Sequence, residues 1–439
     1  MPYYYSLALI SCLLIGCSKQ STDTIQSTQL PITIKQGFGP FYPSFGILSP
    51  ESPDTPVWGK LACSLTGKPR NWSRLTQTRV WLDSHQLVYQ YVKSGKITLA
   101  DYQFFQKEWK WTPDTSQLSA TPIKCFVYII KGFDESRGKW AIMMDTNNDL
   151  DFSNETPVYP EPIPMQPIPD KLANTRMVQY ETYREGKILS AQVPLVVGLI
   201  KGDFVYGSPQ YAVAAIQQGD ETHDVYIASG AGRPSFESAQ LCLPASVLSS
   251  GKVDPQKVVK PGEVIDIGGV PYLNRGVNMY HNRLTLETTD ATAINSSHSL
   301  QVGRPFKSFS ARDVSTGKLL SLTDLHGKYV YIDFWGIWCR GCIEQLPALK
   351  KVYESVDKKQ VAFLGIACHN TPEQVRQFAR TRHLTWPQIV SDDTNKLADR
   401  YQVTSFPTSI LLDPNGIIVA RNLHGEELKK KLHELTRPD

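Results

Sequence analysis

Between Ile32 and Leu300 the apolar residues come in short runs. Arg79-Val80-Trp81-Leu82, Phe126-Val127-Tyr128-Ile129-Ile130, Asp224-Val225-Tyr226-Ile227, Glu263-Val264-Ile265-Asp266-Ile267 and Arg283-Leu284-Thr285-Leu286-Glu287 are β-branched or aromatic, and Gly, Pro, Asn and Asp separate them. Runs of this length and composition predict strands. One helix is predicted over Thr98–Trp109, where Thr98 caps and Asp101 stands three residues on. Near Ser296 the pattern changes. From Leu319 onward strand-like and helix-like segments alternate, which predicts an α/β domain. The predicted order is a strand over Lys328–Trp335, a helix over Cys339–Val356 and a strand over Gln360–Ala367. A helix follows from the capping box Thr371-Pro372-Glu373-Gln374 to His383. Ser409–Leu412 and Ile417–Arg421 flank the turn Asp413-Pro414-Asn415-Gly416, and an amphipathic helix closes the chain over Glu426–Leu435. The expected fold class is multidomain: a β-rich N-terminal region, then a C-terminal α/β domain.

Composition narrows the class. The 439 residues are 41% apolar and 20% charged, too apolar for a largely disordered chain. The 46 Lys and Arg against 42 Asp and Glu leave a charge of +4, spread along the chain. That argues against a nucleic-acid binder. No apolar run after the first twenty residues reaches the ~18 needed to cross a bilayer.

The first residues differ. Leu7–Gly16 is an apolar stretch of export-signal length. It ends in Leu14-Ile15-Gly16-Cys17, which resembles the lipobox of bacterial lipoproteins. The resemblance implies that Cys17 is lipidated and becomes the N-terminus, and that the protein is lipid-anchored in the cell envelope, facing the periplasm or the exterior. Met1–Ser6 departs from the pattern in having no Lys or Arg. The expected divisions are a signal over 1–16, a Ser/Thr/Gln-rich tether over 17–31, β-rich regions over 32–156 and 170–297, and the α/β domain over 298–439. Between the β-rich regions, residues 157–169 hold six prolines and read as a stiff extended connector.

With Cys12 in the signal and Cys17 assigned to lipid, six cysteines remain: Cys63, Cys125, Cys242, Cys339, Cys342 and Cys368. Cys63, Cys125 and Cys242 read as small buried hydrophobes. Trp338-Cys339-Arg340-Gly341-Cys342 sits where a predicted strand hands over to a helix. There the first cysteine faces unpaired N–H groups and the positive end of the helix dipole, which favour its thiolate. The second lies one turn inside, less exposed, and can close a ring onto the first. Arg340 adds positive charge nearby. Half of a zinc site is the competing reading, but no second Cys-x-x-Cys pair completes it.

Several motifs in order resemble the thioredoxin superfamily, in its branch of TlpA/ResA-like envelope thiol-disulfide oxidoreductases. Leu320–Lys328 resembles the lead-in of that branch. Tyr331-Ile332-Asp333-Phe334-Trp335-Gly336-Ile337-Trp338-Cys339 resembles its active-site strand. Pro347 stands five residues past Cys342, and Ser405-Phe406-Pro407-Thr408 resembles the loop that carries the family's cis-proline. The likeness covers roughly Gly303–Leu435 and implies a thioredoxin fold with a redox-active Cys339/Cys342 disulfide and no other cofactor. It matches Asp333 to the family's buried acid; burial would raise its pKa and let it take a proton from Cys342. It sets Pro407 against the cysteines, beside backbone that pairs with substrate, and Trp338 as a shield on one side. The implied partners are disulfide-containing protein substrates and a membrane electron donor that re-reduces the pair. The expected direction is reduction. The Arg340-Gly341 dipeptide departs from the commoner Gly-Pro or Glu-Pro, which bears on the potential. Cys368 closes the second predicted strand and reads as buried or, less readily, as redox-active.

Two other readings stand beside this one. A thiol peroxidase would need a Pro and Thr before its reactive cysteine, and Trp335-Gly336-Ile337-Trp338 supplies neither. A ligand- or partner-binding lipoprotein would use the redox domain as an accessory. Separately, Asp145, Asn147, Asp149 and Asp151 place oxygens at alternate positions, as a calcium loop does, but Leu150 stands where such a loop needs glycine and Thr156 where it needs Glu, so a polar Asx-rich turn is the favoured reading.

Overall fold

The structure is a computed structural model and describes residues 26–51, 61–109, 111–164, 172–230, 235–237, 239–290 and 298–437. The signal, Cys17 and most of the tether lie outside these residues.

The N-terminal region is built from four sheets in two layered pairs. In the first pair, strands Ser27–Pro31, Arg283–Thr288, Val270–Asn278 and Val264–Ile267 form one sheet. Leu241–Cys242, Glu221–Ala228, Gln210–Gln218 and Thr33–Gln36 form the other. Their inner faces share one core, with Leu30, Ala214, Ile227, Ile267 and Leu286 among its buried side chains. In the second pair, a three-stranded sheet (Trp72–Trp81, Phe126–Asp134, Lys139–Met144) packs on a four-stranded one (Gly46–Ile47, Asp203–Gly207, Lys187–Ile200, Thr175–Arg184). Val80, Ile129, Val178 and Leu195 meet between them. Alternating side chains on each strand give these sheets their buried faces.

This grouping corrects two expected boundaries. Ser27–Pro31, expected as tether, is a strand in register with Arg283–Glu287. The proline-rich connector does not separate two halves. Val158 exchanges backbone hydrogen bonds with Ile142, Ile163 is buried, and the cores on either side of the connector are shared. The sheets part instead between Gly207 and Gln210, so the second pair is inserted within the first. The helix predicted at Thr98 forms over Leu99–Glu108, with a complete Thr98/Asp101 capping box. A second helix, Ser84–Lys93, was not predicted and is capped by Asp83.

The C-terminal sheet has five strands: β1 (Tyr329–Trp335), β2 (Val361–Cys368), β3 (Gln388–Ser391), β4 (Thr408–Leu412) and β5 (Ile418–Arg421). Their order is β3-β2-β1-β4-β5. The first three are parallel, and β4 and β5 run antiparallel to their neighbours β1 and β4. Helices α1 (Arg340–Ser355), α2 (Pro372–Arg382), α3 (Leu397–Arg400) and α4 (Gly425–Leu435) connect or flank them. Strand alternation splits the core in two. Tyr331, Phe363 and Leu411 pack with Leu349, Val352, Leu428 and Leu432 of α1 and α4. Ile332, Phe334, Leu364 and Ile410 pack with Phe306, Leu397 and Tyr401 on the other face. This is a thioredoxin fold, and the whole chain is multidomain and β-rich.

The two parts are clamped together at β5. Arg421 places its guanidinium against Glu263 at 2.6 Å, with side chains only 3% and 6% exposed, and donates also to the Val258 carbonyl. The Gln256 amide bonds both backbone groups of Arg421, at 2.8 and 2.9 Å, and so covers part of the open sheet edge. Gln301 does the same for Val264 at 3.1 and 2.6 Å. A buried ion pair that loses one partner leaves an unpaired buried charge, which costs about 3–5 kcal/mol. Glu263→Ala should therefore lower unfolding stability in urea by about that much. The pair Glu263→Leu with Arg421→Met should recover most of the loss. Single-variant losses no larger than those of surface substitutions would contradict the clamp.

Candidate active site

Helix α1 starts on a sulfur atom. Cys339 is its N-cap residue, with extended backbone, and its Sγ accepts the Cys342 N–H at 3.1 Å. The turn that precedes it is closed by the Cys339 N–H on the Gly336 carbonyl at 3.1 Å. Gly336 cannot be replaced easily, since a Cβ there would lie 2.5 Å from the Trp338 indole nitrogen. That indole donates to the Cys368 carbonyl at 3.0 Å and sets its ring edge-on to Phe406, with centroids 5.3 Å apart. Trp338 nevertheless stays 53% exposed and forms an apolar rim beside the cysteines.

Cys339 and Cys342 are joined in a disulfide. They are 6% and 7% exposed, so depth does not distinguish them, contrary to expectation. The distinction is the cap: Cys339 has the helix N–H on its sulfur. Arg340 also departs from expectation. Its guanidinium is 80% exposed and turned to Glu344 at 2.7 Å, an i,i+4 pair that offsets its charge. Asp203, the first residue of strand Asp203–Gly207 in the N-terminal region, adds to the negative field at Arg340.

Asp333 lies on β1 behind Cys342. It lines two small cavities with that cysteine, each of about 10 Å³, room for no more than a single water. Trp335, Trp386 and Gln388 complete one; Pro407, Gln345, His424 and Gly425 help to line the other. Its Oδ1 is buried with no hydrogen-bond partner among the described residues. Loss of water around the carboxylate pushes its pKa from 3.8 up to about 7. The Phe406–Pro407 bond is cis, and Pro407 Cδ lies 3.6 Å from where a Cβ on Gly341 would stand. The fold thus brings Cys339, Cys342, Asp333 and Pro407 to one place.

Gln388 and His424 are among the lining residues that escaped the sequence reading. Gln388 accepts from the Trp335 indole at 3.0 Å and fills space that a Cβ on Gly365 would occupy. It begins β3, a strand of four residues that offered no clear periodicity. His424 precedes α4 and carried no motif. Cys368 is on the other face of the sheet, buried with Phe334 and Leu364; burial pushes its thiol up to about 12. It is read as a core residue.

The segment Asp145–Asp151 forms an Asx-rich turn. Asp145 accepts the N–H groups of Asp149 and Leu150, both at 3.0 Å. Asp149 accepts from Asp151 N–H and from the Asn147 amide, and Asp151 accepts from Ser153 N–H. The alternating oxygens hold the turn, and Leu150 itself takes the left-handed φ of 70°. Among the described residues no group of three or more His, Cys, Asp or Glu is placed to hold a metal ion.

A disulfide capping a helix on a thioredoxin sheet, with a desolvated acid behind its second sulfur, defines a thiol-disulfide oxidoreductase. Residues 302–421 match the AhpC/TSA family. Over 133 residues the chain is 32% identical to the thiol-disulfide oxidoreductase ResA of Bacillus cereus, covering 30% of this chain and 75% of that protein. It is 34% identical over 134 residues to the thioredoxin-like protein YneN of Bacillus subtilis, covering 30% and 76%. A solved thioredoxin domain of a thiol-disulfide oxidoreductase from Bacteroides vulgatus shares 29% identity over 31% of this chain and 98% of its own, with a TM-score of 0.29. Through its C-terminal third the chain belongs to the ResA/TlpA-like thiol-disulfide oxidoreductases of the thioredoxin superfamily.

The raised pKa of Asp333 has a consequence for stability. The folded state holds its proton up to about pH 7, whereas the unfolded chain releases it near 3.8. Stability contributed by this group is complete below about 3.8 and is lost as pH rises through 7. Asp333→Asn has no such loss. Between pH 5 and pH 8 the oxidised wild type should lose a few kcal/mol relative to the variant. Parallel stability–pH curves would contradict the desolvated acid.

Proposed function

We propose that the protein is a lipid-anchored reductase of disulfides in exported proteins. In its reduced form the Cys339 thiolate attacks one sulfur of a substrate disulfide. The Cys339–substrate bond forms and the substrate's other sulfur leaves as a thiolate, which takes a proton from water. Asp333, as carboxylate, accepts the proton of Cys342. The Cys342 thiolate then attacks Cys339, forming the internal disulfide and releasing the second substrate thiolate. Two electrons have passed to the substrate. An electron donor at the membrane returns them, because an exported thiol pair otherwise stays oxidised. An extended substrate segment would lie beside Trp338, Phe406 and the loop at Pro407.

The observation that carries this reading is the helix cap on Cys339, because it favours one thiolate of the pair at neutral pH. Asp333 supports it, poised near neutrality behind the other. A peroxidase is less well supported, since Gly336-Ile337-Trp338 precedes the first cysteine without the Pro and Thr that chemistry uses. The β-rich region suits a role in choosing or holding partners, with the redox domain clamped to it at Arg421. The anchor rests on Leu14–Cys17.

Two experiments test the proposal. Cys342→Ala should stall as a mixed disulfide with its substrate on a non-reducing gel, and Cys339→Ala should trap nothing. Trapping by Cys339→Ala instead would reverse the roles. Labelled fatty acid should enter the wild type and not Cys17→Ala; equal labelling would remove the anchor.

A further inference from the structure

Three aromatic rings from separate segments meet beside the disulfide. Trp338 directly precedes Cys339, Phe406 precedes Pro407, and His369 follows the last residue of β2. Their centroids form a triangle, 5.3 Å from Trp338 to Phe406, 5.9 Å from Trp338 to His369 and 6.0 Å from His369 to Phe406. The ring planes cross at 80°, 57° and 81°, so no two of them are stacked face to face. The side chain of His369 is exposed, and Trp338 is 53% exposed.

His369 is held there against its backbone preference. Its φ is +55°, in the left-handed region that residues other than glycine enter at a cost. The residues on either side of it are fastened to the turn that leads into Cys339. The Cys368 carbonyl accepts the Trp338 indole N–H at 3.0 Å, and Asn370 Oδ1 accepts the Ile337 N–H at 3.0 Å. Neither bond uses the His369 side chain. Glycine would hold this backbone at least as well. What the histidine adds is a ring beside two others, at the exposed rim of the reactive pair.

We propose that His369 is a specificity-determining residue. With Trp338 and Phe406 it completes a platform for an aromatic side chain of the substrate, two residues from the substrate's reactive cysteine. This rests on the reading of Cys339 as the sulfur that attacks a protein disulfide. The Trp338 indole nitrogen is already bonded, so what that ring offers a substrate is apolar surface. Aromatic pairs gain from edge-to-face and offset contacts beyond the area they bury, and unstacked rings leave edges and faces for a further ring. The spacing follows from the extended form of the substrate segment. Its side chains alternate, so residues two positions from the cysteine turn to the same side as the cysteine, about 7 Å along the chain. Trp338 is next to Cys339, with Cα atoms about 3.8 Å apart, and its ring carries the platform outward to that reach.

The test uses symmetric disulfides of a short peptide with one cysteine and with Phe or Ala two residues before or after it. Each is mixed with reduced full-length protein, and release of peptide thiol is followed by chromatography of acid-quenched samples. Wild type, His369→Gly and His369→Phe are compared. Wild type should reduce the Phe peptide about tenfold faster than the Ala peptide at one of the two positions. His369→Gly should lower that ratio to about threefold or less, and His369→Phe should keep it. The Ala-peptide rate, the reduction potential and the thermal midpoint of His369→Gly should not fall below the wild type. Both peptides reduced at equal rates by wild type, or an unchanged ratio in His369→Gly, would overturn the platform and leave the reductase standing. Equal slowing of both peptides in His369→Gly would make the ring a support for the active-site turn, and would also overturn its role in choosing substrates. Failure of wild type to reduce any of the peptides would remove the reductase reading and this inference with it.

Discussion

The Cys342 N–H points at the Cys339 sulfur, 3.1 Å away, and most of the domain's architecture bears on that contact. It exists because α1 begins where β1 runs out of sheet. Gly336 allows Trp338 to fold back, and Cys339 takes the extended conformation of a cap. A sulfur in that position meets the unpaired end of a helix, the place where negative charge is most favourable. β1 is central in its sheet, so the acid it carries two residues before its end is desolvated beneath the same turn. One strand-to-helix junction therefore supplies both a group that prefers to be charged and a group that resists it.

The β-rich region makes up most of the chain, yet only a few contacts decide how it meets the redox domain. Arg421 and Glu263 have little access to water and are 158 residues apart in sequence. A pair so buried adds little net stability over an apolar pair of the same shape. Its effect is to fix orientation, since either charge alone in that place is costly.

What could be read from the sequence was what depends on neighbours a few residues apart. Thr371 with Gln374 and Thr98 with Asp101 are local signals, and both boxes form as read. The Asp413–Gly416 turn and the Cys-x-x-Cys junction are local too. Helix Ser84–Lys93 escaped because its Val and Tyr residues favour strands. It is held instead by Gln86 and Gln90, whose amides bond backbone groups 33 residues away. The cavity residue Gln388 escaped because β3 is short, and His424 because nothing beside it in sequence marks it. Equal burial of the two cysteines was unreadable for the same reason, since the Phe406–Pro407 loop that stands beside them is more than sixty residues away in sequence. The N-terminal sheets interleave early and late strands, a non-local arrangement that strand signals do not specify.

The account turns on unequal thiols in a pair that burial treats alike. The direct measurement is the rate of alkylation of each cysteine in the reduced protein against pH, with modified residues assigned by mass spectrometry. A free cysteine titrates at about 8.5. The cap predicts that Cys339 reacts with a midpoint well below that, and that Cys342, beside the Asp333 carboxylate, reacts with one above it. Midpoints that coincide, or a lower one at Cys342, would contradict the claim that the helix N-terminus selects the attacking sulfur.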